Sequence, residues 1–347
     1  MATIKDRTTY WDKAQQAGFD LSWLNRLQEN PVSDDVDEIS ENNTGRVEGS
    51  VSRGNVPQFG TYLFRQKKDV WAHNLTKLYQ EFVTRQWSSA TDIPWDTIQP
   101  LPDDIERAEC QLATFFVQVE FVASDVPGRF ISTMSPDYHE VRQVLLGQVM
   151  DESRHLDVFR KRALANGGGL MRMIDTVSDV VGGSTDNARE FTELSSRLHI
   201  TGEGNVLTLF RLGELMAYNE AEKAIYRRCA QDEARHVAIG VLHLRYMNEA
   251  APERREEIHG YLDEGETRQA TGAGGENPAA INMLTSEALA VLLGGGKDKV
   301  DEGQKILMAV RQRQTKEYFQ RLKSAGFDDR ITNGRMNPSL LEAFNAA

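Results

Sequence analysis

Asp151-Glu152-Ser153-Arg154-His155 recurs in this chain as Asp232-Glu233-Ala234-Arg235-His236. Each copy sets a glutamate and a histidine three residues apart, so on a helix of 3.6 residues per turn both side chains leave the same face. One copy alone would read as a solvated helix with an incidental histidine. Two copies with the same flanking Asp and Arg, in a chain of seven histidines, read instead as two halves of one site. A two-metal centre in a helical bundle needs this duplicated carboxylate–imidazole unit.

Counting outward from the turns before each copy finds their partners. If the helices on either side of Pro136 run antiparallel, the residue level with Glu152 is Glu120. It lies in the apolar run Phe115-Phe116-Val117-Gln118-Val119-Glu120-Phe121-Val122-Ala123, where an acid is costly unless paired or bound to metal. Helices meeting near Tyr218 place Glu203 level with Glu233 in the same way. Pro127-Gly128 is expected to kink or end the second helix, which makes Glu109, three turns upstream on the same face, the alternative to Glu120. Glu214 is the rival of Glu203, but it falls about 16 Å off level at 1.5 Å per residue.

Further out, the sequence reads as all-α. A short helix is expected over 9–28, anchored by Trp11, Phe19, Trp23 and Leu27, followed by a polar, acidic arm to about residue 55. Long helices are expected over 58–87, 102–126 or beyond, 136–165, 187–217 and 219–248, and shorter ones over 253–263, 278–294, 299–324 and 338–345. A crossover over 166–186 has room for a short helix near 171–181. This divides the chain into an N-terminal helix and arm (1–56), a helical bundle carrying the duplicated motif (57–250) and a helical extension packed on it (251–347).

At 347 residues, with 40% apolar and 27% charged positions, the chain has the composition of a globular protein with a large core. A net charge of -12 speaks against nucleic-acid binding. No apolar run reaches membrane-spanning length and no signal-peptide pattern opens the chain, so a cytoplasmic protein is expected. Cys110 and Cys229 alone make a disulfide framework or a thiolate metal site improbable. A homodimer is plausible from the length of the helices, without a residue to carry it.

Glu120, Glu152, His155, Glu203, Glu233 and His236 together make four carboxylates and two imidazoles. Hard anionic oxygens hold and bridge two cations that would otherwise repel, and neutral histidines add nitrogen donors without adding charge. Asp151, Arg154, Asp232 and Arg235 then orient the imidazoles and balance charge; a surface salt-bridge ladder is their plainer alternative. Phe116, Phe159, Gly204, Leu207 and Phe210 are candidates to line a pocket. Gly202 and Gly204 weaken the helix beside Glu203, allowing a local π-bulge or leaving room for dioxygen and substrate, with plain close packing of helices as the alternative.

On Glu120, Glu203 and the two Asp-Glu-x-Arg-His strings the chain resembles the ferritin-like superfamily of di-iron carboxylate enzymes, over roughly residues 57–247. The same strings occur in the hydroxylase subunits of bacterial multicomponent monooxygenases, where the Asp residues bond the metal histidines. That resemblance implies a ferritin-like four-helix bundle holding two Fe ions, with Mn/Fe or Mn as alternatives. It also implies a monooxygenase that uses O2 on a small organic substrate and draws electrons from an external donor, a ferredoxin or a reductase. A desaturase or oxidase, and a ferroxidase or metal-binding bundle, are the competing readings. Phe159 stands where the ribonucleotide reductase small subunit carries its radical tyrosine. Leu207, with Thr208 one place on, stands where methane and toluene hydroxylases carry a threonine, and Cys229 where arylamine N-oxygenases carry an extra histidine.

Overall fold

The computed structural model describes residues 42–43, 57, 59–172, 187–271 and 278–345, with backbone alone at 42–43, 268–271, 278–283 and 343–345. The helix expected over 9–28, most of the arm to residue 55 and nearly all of the one near 171–181 lie outside the described residues. Among those described, a two-residue antiparallel ladder joins Asn42–Asn43 to Gly60–Thr61, and Phe64 and Met134 form an isolated parallel bridge. Everything else regular is helical.

Helix α1 (Leu75–Thr84) is shorter than the one expected over 58–87. Residues 63–64 are held by the chain beyond α2 instead, and Lys67–Asp69 form a single turn: the Leu63 and Phe64 amides donate to the Thr133 carbonyl at 2.9 and 3.2 Å, and Ser135 N donates to Phe64 O at 3.1 Å. Tertiary pairing of these backbone groups outweighs the helical spacing of their side chains. Helix α2 (Asp103–Ile131) runs through Pro127, contrary to the expected break. Proline there removes one bond near the helix end, while buried Val126 and Phe130 keep the last turn packed, Phe130 stacking on Phe64 at 5.5 Å.

Helix α3 (His139–Ala165) follows a single turn, Pro136–Tyr138, whose Ser135 hydroxyl accepts from Asp137 N at 3.3 Å. Helix α4 has three parts: α-helical Phe191–Leu194, π-helical Ser195–Glu203 and α-helical Gly204–Met216. Helix α5 (Glu220–Ala250) is capped by Asn219, whose Oδ1 accepts from Glu222 N at 2.9 Å. Helices α2 to α5 form the bundle. Helices α6 (Arg255–Thr271), α7 (Pro278–Gly294), α8 (Val300–Ala325) and α9 (Pro338–Asn345) follow; α7 packs on α2 and α8, and α8 lies along α4 and α5. Gly326, at φ 84°, ends α8 in the left-handed turn that glycine tolerates best. No described helix is long and apolar enough to cross a membrane.

Candidate metal centre

Glu120 on α2, Glu152 and His155 on α3, Glu203 at the end of the π-helical stretch, and Glu233 and His236 on α5 converge inside the bundle. They form two overlapping groups: Glu120, Glu152, His155 and Glu233, and Glu152, Glu203, Glu233 and His236, each with ligand atoms within 4.8 Å of one another. None of the six is more than 3% exposed. Glu152 and Glu233 belong to both groups, and their two oxygens divide between the histidines. Glu152 Oε2 lies 3.1 Å from His155 Nδ1 and Oε1 lies 3.0 Å from His236 Nδ1. Glu233 Oε1 lies 3.3 Å from His155 Nδ1 and Oε2 lies 3.5 Å from His236 Nδ1. This is the disposition of carboxylates that span two cation positions, with Glu120 and Glu203 at the outer ends.

The donors fit such ions. Glu120 Oε1, Glu203 Oε2 and both oxygens of Glu233 are buried without a hydrogen bond of good geometry among the described residues, whereas buried polar atoms are nearly always paired. Two divalent cations would cancel four carboxylates and leave both imidazoles neutral. Without them, burial drives the Glu120 and Glu203 carboxyls well above the usual range, the charge of Glu152 adding to the effect at Glu120. Glu152 goes the other way: burial opposes its charge, but His236 and His155 beside it hold it well below that range. Metal binding here therefore displaces protons.

Behind the histidines the two motifs cross. His155 Nε2 meets Asp232 Oδ2 at 3.1 Å, and His236 Nε2 meets Asp151 Oδ2 at 3.4 Å. Each aspartate thus serves the histidine of the other motif. Arg154 pairs with Asp151 and, at 3.3 Å, with Asp232; Arg235 pairs with Asp232 and, at 2.7 Å, with Asp151. These four charges balance and are buried, with Arg154 8% and Arg235 6% exposed, so they are no surface ladder. Burial works against the Asp232 charge, yet His155, Arg235 and the indole of Trp87 hold its carboxyl far below the usual range; Trp87 Nε1 donates to it at 2.7 Å. Phe82 stacks on His236 at 5.9 Å and Trp87 on His155 at 6.4 Å. Neither aromatic carries a sequence signal that points to the site.

On the Glu203 side, Gln148 Nε2 donates to Glu203 Oε1 at 2.6 Å, and Gln148 Oε1 lies 3.2 Å from His199 Nε2. Burial pushes His199 down to about 3, the positive charge on His236 adding to it, so it stays neutral. With Nδ1 set 3.2 Å from Ser195 Oγ, an Nε2–H tautomer gives His199 an acceptor and a donor that both fit. Gln148, four residues before Glu152 on the same helical face, could have been found from its spacing.

Phe116, Phe159 and Phe210 pack ring to ring at 4.7, 4.9 and 5.3 Å, with Leu207 in the same buried cluster. They fill the space between them and wall the centre on one side. Gly204 does not open room for a substrate: the guanidinium of Arg321 occupies the volume its side chain would take. Glu214 is engaged by Arg227 at 2.7 Å near the surface.

Glu109 stays outside the centre, near Glu222 and Arg162. Arg162 commits Nε to Glu222 and Nη1 to Glu106, both at 2.7 Å. Burial, and then the charge of Glu222, push the Glu109 carboxyl up to about 8. Because the folded value lies above the unfolded one, this group costs nothing in acid, destabilises increasingly as pH rises from the ordinary carboxylate range, and exerts its full penalty above about 8. Glu109→Gln is therefore expected to raise the melting temperature at pH 9 by the equivalent of a few kcal/mol, at about 1.4 kcal/mol per pKa unit, and to change it little at pH 5. Equal shifts at both pH values would mean that Glu109 does not ionise in this range.

An R2-like ligand-binding oxidase with an aerobically reconstituted Mn/Fe cofactor is similar to this chain, with a TM-score of 0.54 and 15% identity over 73% of this chain and 94% of the other. An anaerobically reconstituted Mn/Fe form matches over the same shares, with a TM-score of 0.54 and 14% identity. The chain has the ferritin-like fold. Identity this low extends the likeness to the fold and no further. No protein-family model matches the sequence, and no curated protein matches it either.

Proposed function

We propose that this chain is a dinuclear-metal oxidase that activates dioxygen and monooxygenates a small organic substrate. The observation that carries it is the pair of buried donor groups sharing Glu152 and Glu233, with orphaned oxygens turned toward one another. Iron or manganese suits this hard oxygen-and-imidazole set, and the structurally similar oxidases are described with Mn/Fe. A bound metal pair would supply the binding and reduction of dioxygen.

The remaining work falls to the chain. Glu152 and Glu233 hold the two positions together, Glu120 and Glu203 close their outer ends, and His155 and His236 present Nδ1 inward because Asp232 and Asp151 engage Nε2. The balanced Asp151–Arg154–Asp232–Arg235 group adds no net charge, so the four glutamates alone match the cations. Phe116, Phe159 and Phe210 exclude water on one side. Cys229 belongs to neither donor group, and burial pushes its thiol up to about 12, so it is a neutral neighbour of His155 in the metal-free protein. With no flavin or dinucleotide fingerprint in the sequence, electrons come from a separate ferredoxin or reductase.

The second reading is an oxidase that removes hydrogen from its substrate without inserting oxygen, in line with the name of its structural neighbours. Anaerobic loading with Fe(II), or with Mn(II) and Fe(II), followed by mixing with oxygen and labelled-oxygen analysis of the products, separates the two. Label in the product is expected. Label in water alone selects the second reading, and a spectrum unaltered by oxygen would refute both.

A further inference from the structure

Gly204 directly follows Glu203, where the π-helical stretch returns to α-helix. A Cβ on Gly204 would overlap Cζ and Nε of Arg321. The guanidinium therefore sits in a notch that exists only because this residue has no side chain. Arg321 reaches it from α8 and is 7% exposed. Its Nε donates to the Ile200 carbonyl at 2.7 Å and its Nη1 to the Gly204 carbonyl at 3.3 Å. These carbonyls bracket Glu203 in the sequence. No ion pair joins Arg321 to a carboxylate among the described residues; Glu317, one turn earlier on α8, is engaged by Thr208 at 2.6 Å. A buried cation without a carboxylate is costly, and here backbone carbonyls take the carboxylate's place. Carbonyls leave the regular ladder where an α-helix changes to π and back, so such a stretch needs support from outside itself.

We propose that Arg321 is a positioning residue for Glu203: seated in the Gly204 notch, it clamps the Ile200 and Gly204 carbonyls and so fixes the π-to-α transition that aims the Glu203 carboxylate. The targets of that aim are the Gln148 amide, 2.6 Å away, and the donor group shared with Glu152, Glu233 and His236. Emptying the clamp (Arg321→Met) and filling its notch (Gly204→Ala) should then have the same local effect.

The first test needs no metal. Hydrogen exchange on the full-length, metal-free protein should show protection lost over residues 198–206 in both Arg321→Met and Gly204→Ala, with α2 and α3 unchanged. Arg321→Lys, whose ammonium can still donate to both carbonyls, should restore part of it. Combining Arg321→Met with Gly204→Ala should be no worse than the more severe single change, because both remove one contact. Unchanged protection over 198–206, or an even loss throughout the bundle, would overturn the proposal.

A second readout rests on the dinuclear reading above. In anaerobic Mn(II) titration, Arg321→Met should keep one tight equivalent, at the Glu120 and His155 end, and weaken the other about 10- to 100-fold. Two wild-type equivalents in the variant would also count against the clamp. A wild-type chain that takes no pair of Mn(II) ions defeats the dinuclear reading instead, and the exchange experiment still decides Arg321.

Discussion

Glu152→Ala is expected to leave the protein unable to hold either metal, whereas Glu120→Ala and Glu203→Ala should each lose one. The asymmetry follows from geometry: Glu152 offers Oε2 to the His155 side and Oε1 to the His236 side, while Glu120 and Glu203 each belong to one group. The affinity loss at both positions should exceed the roughly 10- to 100-fold typical of removing an outer hydrogen-bonding partner. The fold is checked separately, because the change also removes the carboxylate that His155 and His236 face in the metal-free protein. Metal analysis after anaerobic loading and desalting reads the count, and circular dichroism checks the fold. If Glu152→Ala retained one tightly bound metal, Glu152 would not span the centre.

Arg154→Met should cost the most stability. It removes a cation that engages both Asp151 and Asp232 and leaves one arginine for two buried aspartates. Breaking a buried ion pair by deleting one partner costs about 3–5 kcal/mol, which corresponds to a fall of roughly 4–7 °C in melting temperature for a chain of this size. Trp87→Phe, which removes one hydrogen bond to Asp232, should cost only about 1 kcal/mol. Thermal melts of the two metal-free variants make the comparison, and an Arg154→Met melt within 2 °C of wild type would show that the network is not holding the bundle.

Much of the centre was legible because helices turn sequence spacing into position. The duplicated string put each glutamate on its histidine's face, and counting about Pro136 and Tyr218 reached Glu120 and Glu203. Spacing within one helix says nothing of how two helices cross, so the exchange of Asp151 and Asp232 between the motifs was invisible. Arg321 was invisible for the same reason: it reaches Gly204 from 117 residues away, although the π-helical stretch that the two glycines allow is present. Residues 59–74 differ from the expected helix because the Leu63 and Phe64 amides pair with Thr133, while those of Asp69, Val70 and Trp71 close only a single turn. Pro127 misled because the packing of Phe130 outweighs one lost backbone bond.

This bundle is proposed to hold two metal ions between four glutamates and two histidines. Anaerobic equilibrium titration of the wild-type chain with Fe(II), followed by metal analysis, tests it most directly. Two equivalents per chain, with protons released on binding, is the result expected. One equivalent, or none, would contradict it.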